Sequence, residues 1–191
     1  MTQLILASAS PRRSHLMSEL GLTFSVVPSN VNEDDIHYDD PSELVEALAY
    51  AKAAQVAQGL GQGLVIGSDT VVVLDGLVLG KPESDDDAMR MLRELSGREH
   101  HVYSGISVIE ASTGRTAVDH SVTTVRFRSL SERAIRNYVR TGEPADKAGA
   151  YAIQGIGSLL VESINGDYFT VVGLPLGLLA ELLAKFGVNI L

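Results

Sequence analysis

The chain has 191 residues, enough for one well-buried domain or two lobes but too few for two independent domains. Its formal net charge of −9 leaves no broad basic surface, which argues against a nucleic-acid polymer as partner. The absence of cysteine excludes disulfides, thiolate metal sites and thiol catalysis, and it fits a reducing compartment. No leader pattern and no apolar run long enough to span a membrane are found, so we expect a cytoplasmic protein.

The first predicted elements surround a pair of arginines. Residues 4–7 form a short apolar strand, and Pro11 suits the first position of a helix that Ser10 can cap. Arg12 and Arg13 fall in the first turn of that helix, where a cation costs roughly 0.3 kcal/mol or more. The pair makes sense if an anion binds between the guanidinium groups and the free N–H groups of the turn. The alternative is that both side chains point into water, and this stretch alone does not decide between the two.

A second strand and a long helix follow. Residues 22–27 form the strand, and residues 28–41 form a polar loop that contains Glu33. A solvated acidic loop is the simplest interpretation of this segment. The helix spans residues 41–58, and Lys52 lies near the edge of its apolar face. A lysine there ordinarily extends into solvent, and the alternative is that it reaches an anion held over the core.

The centre of the chain predicts a buried strand at residues 64–67, followed at once by Ser68-Asp69-Thr70. Residues 71–74 and 77–79 flank Asp75-Gly76, which is a strong hairpin signal. Gly80-Lys81-Pro82 comes next, and Ser84 then caps a helix whose first turn holds three aspartates. Acidic residues suit that end of a helix, so they need no functional explanation.

The remaining elements complete an α/β pattern. Strands are predicted at residues 100–109 and 116–128, followed by a helix from Ser131 to about residue 140. Residues 146–157 form a glycine-rich loop or short helix. A second hairpin is predicted across Asn165-Gly166, from residues 159–164 to residues 168–172, and a closing helix at 174–186. Alternating strands and helices interrupted by hairpins predict an α/β fold with a mixed sheet.

Asp69 lies where chemistry is expected, because ligands bind at the carboxyl ends of strands in open α/β sheets. The first strand delivers Ser8, Arg12 and Arg13 to the same kind of position. A turn-forming or helix-capping aspartate is the safer interpretation of Asp69 taken alone. The interpretation of Asp69 also depends on the cations, because in this strongly acidic chain several of them lie beside strand ends and glycine turns. They are Arg12, Arg13, Lys52, Lys81 and Lys147.

Carboxylates and cations without soft ligands favour a hard divalent ion that bridges phosphate oxygens. Glu33 and Asp69 supply the carboxylates. The combination indicates an enzyme acting on a polyphosphate, with Asp69 as general base for water. His100 and His101 would face opposite sides of a strand and are poorly placed to bind one ion. No P-loop and no nucleophile elbow occur, and Gly155-Ile156-Gly157 is only half of a dinucleotide fingerprint.

Five motifs in order together resemble the Maf family of nucleoside triphosphate pyrophosphatases, which release a nucleoside monophosphate and diphosphate. They are Leu-Ala-Ser-Ala-Ser-Pro-Arg-Arg at 6–13, Gly-Ser-Asp-Thr-Val-Val at 67–72, Gly-Lys-Pro at 80–82, Asp-Lys-Ala-Gly-Ala-Tyr-Ala-Ile-Gln-Gly at 146–155 and Val-Gly-Leu-Pro at 172–175. The resemblance implies a single domain over residues 1–191, with an elongated mixed sheet flanked by helices. It also implies two lobes around a cleft, a relation to inosine-triphosphate pyrophosphatases, and a homodimer.

The resemblance implies roles for individual residues. The catalytic base corresponds to Asp69, and the other matching active-site positions are Ser8, Arg13, Glu33, Lys52 and Lys81. Catalysis is expected from Asp69, Lys81 and Glu33, and a Mg²⁺ or Mn²⁺ ion is expected on Glu33 and Asp69. The triphosphate would be bound by Ser8 together with four cations, Arg12, Arg13, Lys52 and Lys81. The resemblance therefore implies that Lys52 and Glu33 belong to the active site, and not to a solvent-facing helix edge and a solvated acidic loop.

Three marker positions imply the substrate. Arg12, Thr70 and Gln154 match the subgroup that acts on dTTP and UTP. In the subgroup that acts on 7-methyl-GTP, the pattern at the first of these positions contains a tryptophan. Thr70 and Gln154 would read the edge of the base. One alternative is a nucleotide-binding regulator of septum formation, which would not need Asp69 as a base. A less favoured one is a nonspecific phosphatase, which would release orthophosphate.

Overall fold

Strands and helices alternate through most of the computed structural model, which describes residues 2–191. The strands are β1 (Leu4–Leu6), β2 (Phe24–Val26), β3 (Leu64–Leu74), β4 (Leu77–Leu79), β5 (Glu99–Glu110), β6 (Thr116–Phe127) and β7 (Val161–Asn165). The α-helices are α1 (Pro11–Glu19), α2 (Pro41–Ala57), α3 (Asp85–Leu95), α4 (Glu132–Val139), α5 (Tyr168–Val172) and α6 (Leu176–Ala184). Short 3₁₀ helices lie at Glu33–Asp35, Glu143–Asp146, Ala148–Ala150 and Gly155–Leu160. None of the helices in this range has the length and hydropathy that crossing a membrane requires.

The strands form a mixed sheet in the order β2-β1-β3-β5-β6-β7, with β4 paired to β3. β1 runs parallel to both β2 and β3, with Leu4 opposite Leu64 and Leu6 opposite Ile66. β4 is antiparallel to β3, and β7 is antiparallel to β6. The predicted α/β fold with a mixed sheet is therefore confirmed.

The chain divides into two compact units, each with its own apolar core. The first unit contains the residues up to Asp69 together with Ser104–Ser121 and Gly173–Leu191. Its core includes Ile5, Ala53 and Val65. The second unit contains Thr70–Tyr103 and Val122–Val172, and its core includes Leu92, Phe127 and Ile135. The strands β3, β5 and β6 each contribute residues to both units.

Helix α2 meets strands β3 and β5 at two glycines. A Cβ atom on Gly67 would lie 2.2 Å from the carbonyl oxygen of Ala49, and one on Gly105 would lie 2.4 Å from that of Val45. Real Cβ atoms do not approach backbone atoms so closely, so only glycine allows the helix backbone to lie directly against the sheet. This contact sets the distance between α2 and β3, and therefore also the distance of Lys52 from the strand.

The second predicted hairpin is wrong. Residues 168–172 form helix α5 and not a strand. The cause is Asp167, whose Oδ2 accepts hydrogen bonds from the N–H of Thr170 at 2.7 Å and from its hydroxyl at 2.9 Å. A carboxylate that caps free N–H groups starts a helix even when the following residues are aromatic or β-branched.

The capping predictions have mixed outcomes. Ser84 and Ser131 cap their helices as predicted, each accepting the N–H of the third residue after it at 3.2 Å. Ser10 occupies the N-cap position of α1, but its side chain makes no capping hydrogen bond, so that prediction is wrong. The hydroxyl of Ser8 instead accepts the Ser10 N–H at 3.2 Å.

A buried histidine lies in the second unit. His100 is 1% exposed, its ring meets those of Phe127 and Tyr151 edge-on, and its Nε2 lies within hydrogen-bond distance, 2.7 Å, of the Tyr151 hydroxyl. Its Nδ1 has no hydrogen-bond partner among residues 2–191. Burial, with a smaller contribution from His101, lowers the pKa of His100 from 6.5 to about 4. His101 is exposed, so the two histidines face opposite sides of the strand, as predicted.

The buried His100 is expected to make the free energy of unfolding depend on pH. The unfolded chain binds a proton at His100 below pH 6.5 and the folded chain only near pH 4, so this contribution to stability is complete above pH 6.5 and lost as the pH falls towards 4. The loss is about 2–3 kcal/mol. Urea unfolding at pH 7 and pH 4.5 measures it, and His100→Gln should remove that component whereas His101→Gln should not. Equal pH dependence in wild type and His100→Gln would contradict this account.

Candidate active site

The side chain of Lys52 lies between two carboxylates of the first unit. Its Nζ is 2.5 Å from Oδ1 of Asp69 on β3 and 2.7 Å from Oε1 of Glu33 in a 3₁₀ helix. Lys52 and Asp69 are 9% and 7% exposed, while the side chain of Glu33 is 44% exposed. Lys52 thus does not extend into solvent, and the three residues implied by the resemblance lie together. Removing one partner from such a buried pair costs about 3–5 kcal/mol, because the other charge stays buried.

Asp69 lies within strand β3 and not just after it, because β3 continues to Leu74. The pairing of β3 with β1 ends at Ile66, and its pairing with β4 begins at Val72. The polar residues Ser68 and Asp69 lie between these two pairings, and in the sequence they indicated the end of a strand. In the structure both side chains form hydrogen bonds within the fold. Asp69 pairs with Lys52, and the hydroxyl of Ser68 donates to the carbonyl oxygen of Gly173 at 3.1 Å. The strand can therefore continue through this stretch.

Arg13 ties the loop after β1 to the rest of the first unit. Its Nε donates to the carbonyl oxygen of Gly173 and its Nη1 to that of Ser68, both at 2.8 Å. Nη1 also lies 3.3 Å from the hydroxyl of the buried Ser8. Burial lowers the pKa of Arg13, and the nearby Asp69 opposes that shift. The guanidinium group therefore positions the 8–13 segment as well as adding positive charge.

Arg12 differs from its neighbour. Its side chain is half-buried and makes no hydrogen bond or ion pair with any of residues 2–191. It lies close enough to Arg13 for its charge to contribute to lowering the pKa of that residue. Two neighbouring cations, one of them without a protein partner, form an arrangement that an anion stabilises.

The other predicted site residues, Thr70, Lys81 and Gln154, belong to the second unit. Lys81 is exposed and has no ion-pair partner in the described part of the chain. Gln154 is half-buried and occupies the N-cap position of the 3₁₀ helix Gly155–Leu160. Lys147 donates to the carboxylate of Asp146 at 2.6 Å and to the carbonyl oxygen of Glu143 at 2.8 Å, so it is held locally.

The carboxylate oxygens of Glu33 and Asp69 are suitable ligands for an ion such as Mg²⁺. Both are hard carboxylate oxygens, and both contact the same lysine nitrogen, so they converge on one point. Mg²⁺ is typically bound by one or two carboxylates, with water and substrate phosphates completing its coordination. These two residues therefore have the chemistry for such an ion.

A second group of potential ligands was missed in the sequence. Glu46, Asp119 and His120 place ligand atoms within 4.8 Å of one another. Nδ1 of His120 lies 2.6 Å from Oε1 of Glu46, 74 residues away, so no local spacing could have revealed the pair. The imidazole and the carboxylate lie within hydrogen-bond distance of each other and are partly exposed, and we assign no role to the group.

Comparison with known families identifies the chain. The profile of the family described as Maf-like protein matches residues 3–186. The chain belongs to the Maf family. The resemblance seen in the five motifs is thus confirmed over nearly the whole sequence of this Maf-family protein.

Several curated relatives are similar over their whole length. A dTTP/UTP pyrophosphatase from Moorella thermoacetica is 55% identical, with 100% of this chain and 98% of the relative covered. Proteins of the same name from Desulforamulus reducens and Clostridioides difficile are 52% and 46% identical, covering 100% and 97% of those relatives and 100% and 98% of this chain. A solved structure of a HAM1 protein from Coxiella burnetii aligns with a TM-score of 0.48 at 19% identity, covering 66% of this chain and 73% of that one.

Proposed function

We propose that this Maf-family protein is a pyrophosphatase that hydrolyses dTTP and UTP to the nucleoside monophosphate and diphosphate. The names of relatives at 46–55% identity support this substrate class. The observation that carries the reaction type is the buried Lys52 ammonium between the carboxylates of Asp69 and Glu33. Buried charge of this kind is costly for a fold to keep and is typical of catalytic sites.

In the proposed reaction Asp69 is the general base. Its carboxylate takes a proton from water, the water oxygen bonds to the α-phosphorus, and the bond from that phosphorus to the bridging oxygen breaks. Lys52 holds the carboxylate of Asp69 in place through the 2.5 Å contact. Diphosphate leaves with the electron pair of the broken bond.

The cations would stabilise the charge on the triphosphate as it moves to the leaving group. Arg12, which has no protein partner among residues 2–191, is proposed to contact the phosphates directly, together with Lys81 and Ser8. Arg13 is proposed to hold the loop for them through its two carbonyl contacts as well as to contribute charge. Glu33 and Asp69 would hold Mg²⁺ or Mn²⁺, which when bound neutralises charge on the phosphate oxygens.

Base selection is assigned to Thr70 and Gln154. A polar side chain held in a fixed position rejects a base whose donors and acceptors do not match, because the mismatched groups stay unpaired. The amide of Gln154 offers both a donor and an acceptor, which suits the paired oxygen and N–H of uracil and thymine.

The cellular setting is also a proposal. The absence of cysteine supports a reducing, cytoplasmic compartment. A homodimer is supported by the family resemblance. Strand β2 lies at one end of the sheet order, and the exposed Val26 and Val27 at this edge suit a contact between copies.

A hydrolysis panel tests the proposal. With Mg²⁺ present, dTTP and UTP are expected to yield diphosphate, whereas CTP, GTP and 7-methyl-GTP are expected to react much more slowly. Diphosphate and orthophosphate are measured separately. Diphosphate from another base would keep the reaction and contradict the specificity, and orthophosphate would favour a phosphatase. Nucleotide binding without turnover would favour the regulator of septum formation.

A further inference from the structure

Both flanks of Gln154 are bound by two side chains, Tyr138 and Glu143, which lie in the same unit. Before Gln154, the N–H of Ala152 donates to the hydroxyl of Tyr138 at 3.1 Å. After it, the N–H groups of Ile156 and Gly157 donate to Oε2 and Oε1 of Glu143 at 3.1 and 2.9 Å. The carboxylate thus caps the start of the 3₁₀ helix that follows Gln154, where free N–H groups need acceptors.

The two side chains form one connected group. The hydroxyl of the buried Tyr138 donates to Oε1 of Glu143 at 2.9 Å. The backbone under the carboxylate is also fixed, because the N–H of Glu143 donates to the hydroxyl of Thr141 at 3.2 Å and its carbonyl oxygen accepts from Lys147. The carboxylate therefore projects from a rigid turn and not from a mobile one.

The two glycines of the Gly-x-Gly motif are explained by close contacts within this loop. A Cβ atom on Gly155 would lie 2.6 Å from Oε2 of Glu143, and one on Gly157 would lie 2.2 Å from the carbonyl oxygen of Ala152. Gly155 also has a positive φ of 66°, which side chains rarely adopt. Gly155 makes room for the carboxylate of Glu143, and Gly157 makes room for the backbone of Ala152 as the loop turns back on itself. Both uses differ from the dinucleotide fingerprint that the motif partly resembles.

We propose that Glu143 is a positioning residue for base selection: its carboxylate fixes the loop from which Gln154 reads the base. The inference rests on the proposed function, in which Gln154 is the reader. Thymine presents an acceptor where cytosine presents a donor, so an amide discriminates between them only if it cannot shift or turn over. A displacement of about 1 Å is enough to lose most of the benefit of a positioned group.

Steady-state kinetics with dTTP and dCTP test the inference. Glu143→Ala is expected to lower the dTTP-to-dCTP ratio of kcat/KM by about 10-fold or more, mainly through a higher KM for dTTP. Glu143→Gln retains an oxygen that can still accept from Gly157 and Tyr138, so it should recover most of the ratio. Glu162→Ala on β7 is the matched control, since the one side-chain contact of that exposed carboxylate within residues 2–191 is at 3.3 Å to Arg126. It should leave the ratio unchanged.

A purely structural role gives a different result. If Glu143→Ala lowers kcat/KM for both nucleotides equally, the inference is wrong, because stability was lost without selectivity. Should Glu143→Ala fail to fold, Tyr138→Phe removes one hydroxyl from the same group, and it should lower the ratio in the same direction. An unchanged ratio in a folded Tyr138→Phe protein would then overturn the inference.

Gln154→Ala in the same panel separates the two proposals. If Gln154→Ala lowers the ratio and Glu143→Ala does not, base reading by Gln154 stands and the positioning role of Glu143 is wrong. If wild type shows no preference for dTTP and Gln154→Ala changes nothing, the proposed specificity has failed and the inference fails with it.

Discussion

An Asp69→Asn protein is expected to fold and to lose about 10³-fold in kcat for dTTP, because a neutral amide cannot accept the proton of the attacking water. The substitution keeps the shape of the side chain and changes its charge. It also leaves the buried Lys52 with Glu33 as its only carboxylate contact among the described residues that lie within 4 Å. Some loss of stability is therefore expected as well. Diphosphate release under saturating dTTP and urea unfolding measure the two effects separately.

Asp75→Asn is the matched control for this experiment. Asp75 is an exposed residue of the β3–β4 turn that pairs with Arg98, and its φ of 52° is one that asparagine tolerates well. The same chemical change there should cost less than about 1 kcal/mol and leave kcat unchanged. A folded Asp69→Asn protein that turns over dTTP at the wild-type rate would remove Asp69 as the base.

The residues alone predicted the mixed sheet and every α-helix of residues 2–191 except α5, because apolar periodicity reports directly on which faces are buried. They did not predict the gathering of Lys52, Asp69 and Glu33. Lys52 and Asp69 are 17 residues apart and on different elements, and their contact depends on how α2 lies across β3. A lysine at the edge of an apolar face gives the same pattern whether it ends in solvent or on a buried carboxylate. The family motifs, and not the periodicity, supplied that part of the site.

Two further features depended on single side-chain contacts. Helix α5 has a strand-like sequence, and the cap from Asp167 decides its conformation. Glu143 gave no signal, since its N–H partners lie 13 and 14 residues further along the chain. The glycines that make room for it were visible in the sequence, but a Gly-x-Gly pair does not say what approaches it. Such contacts become predictable only once the path of the backbone is known.

Gly67→Ala is expected to destabilise the protein by about 3 kcal/mol and to lower kcat/KM for dTTP by about 100-fold. The added methyl group would lie 2.2 Å from the carbonyl oxygen of Ala49 and 2.8 Å from the nitrogen of Ala53. Both are backbone atoms of α2, so no side-chain rotation relieves the clash and the helix must move away from β3. Lys52 is the residue before Ala53, so that movement separates its ammonium group from the carboxylate of Asp69.

Gly61→Ala provides the comparison, because a Cβ atom there would have no contact within 4 Å in the described part of the chain. It should change the free energy of unfolding by no more than about 0.5 kcal/mol and leave turnover intact. Urea unfolding and dTTP kinetics on both variants separate the two expected effects of Gly67→Ala. A stable Gly67→Ala protein with low activity would mean that α2 shifts without loosening, so that the glycine serves the placement of Lys52 more than the packing. A stable and fully active one would show that the Lys52–Asp69 pair does not depend on this helix contact.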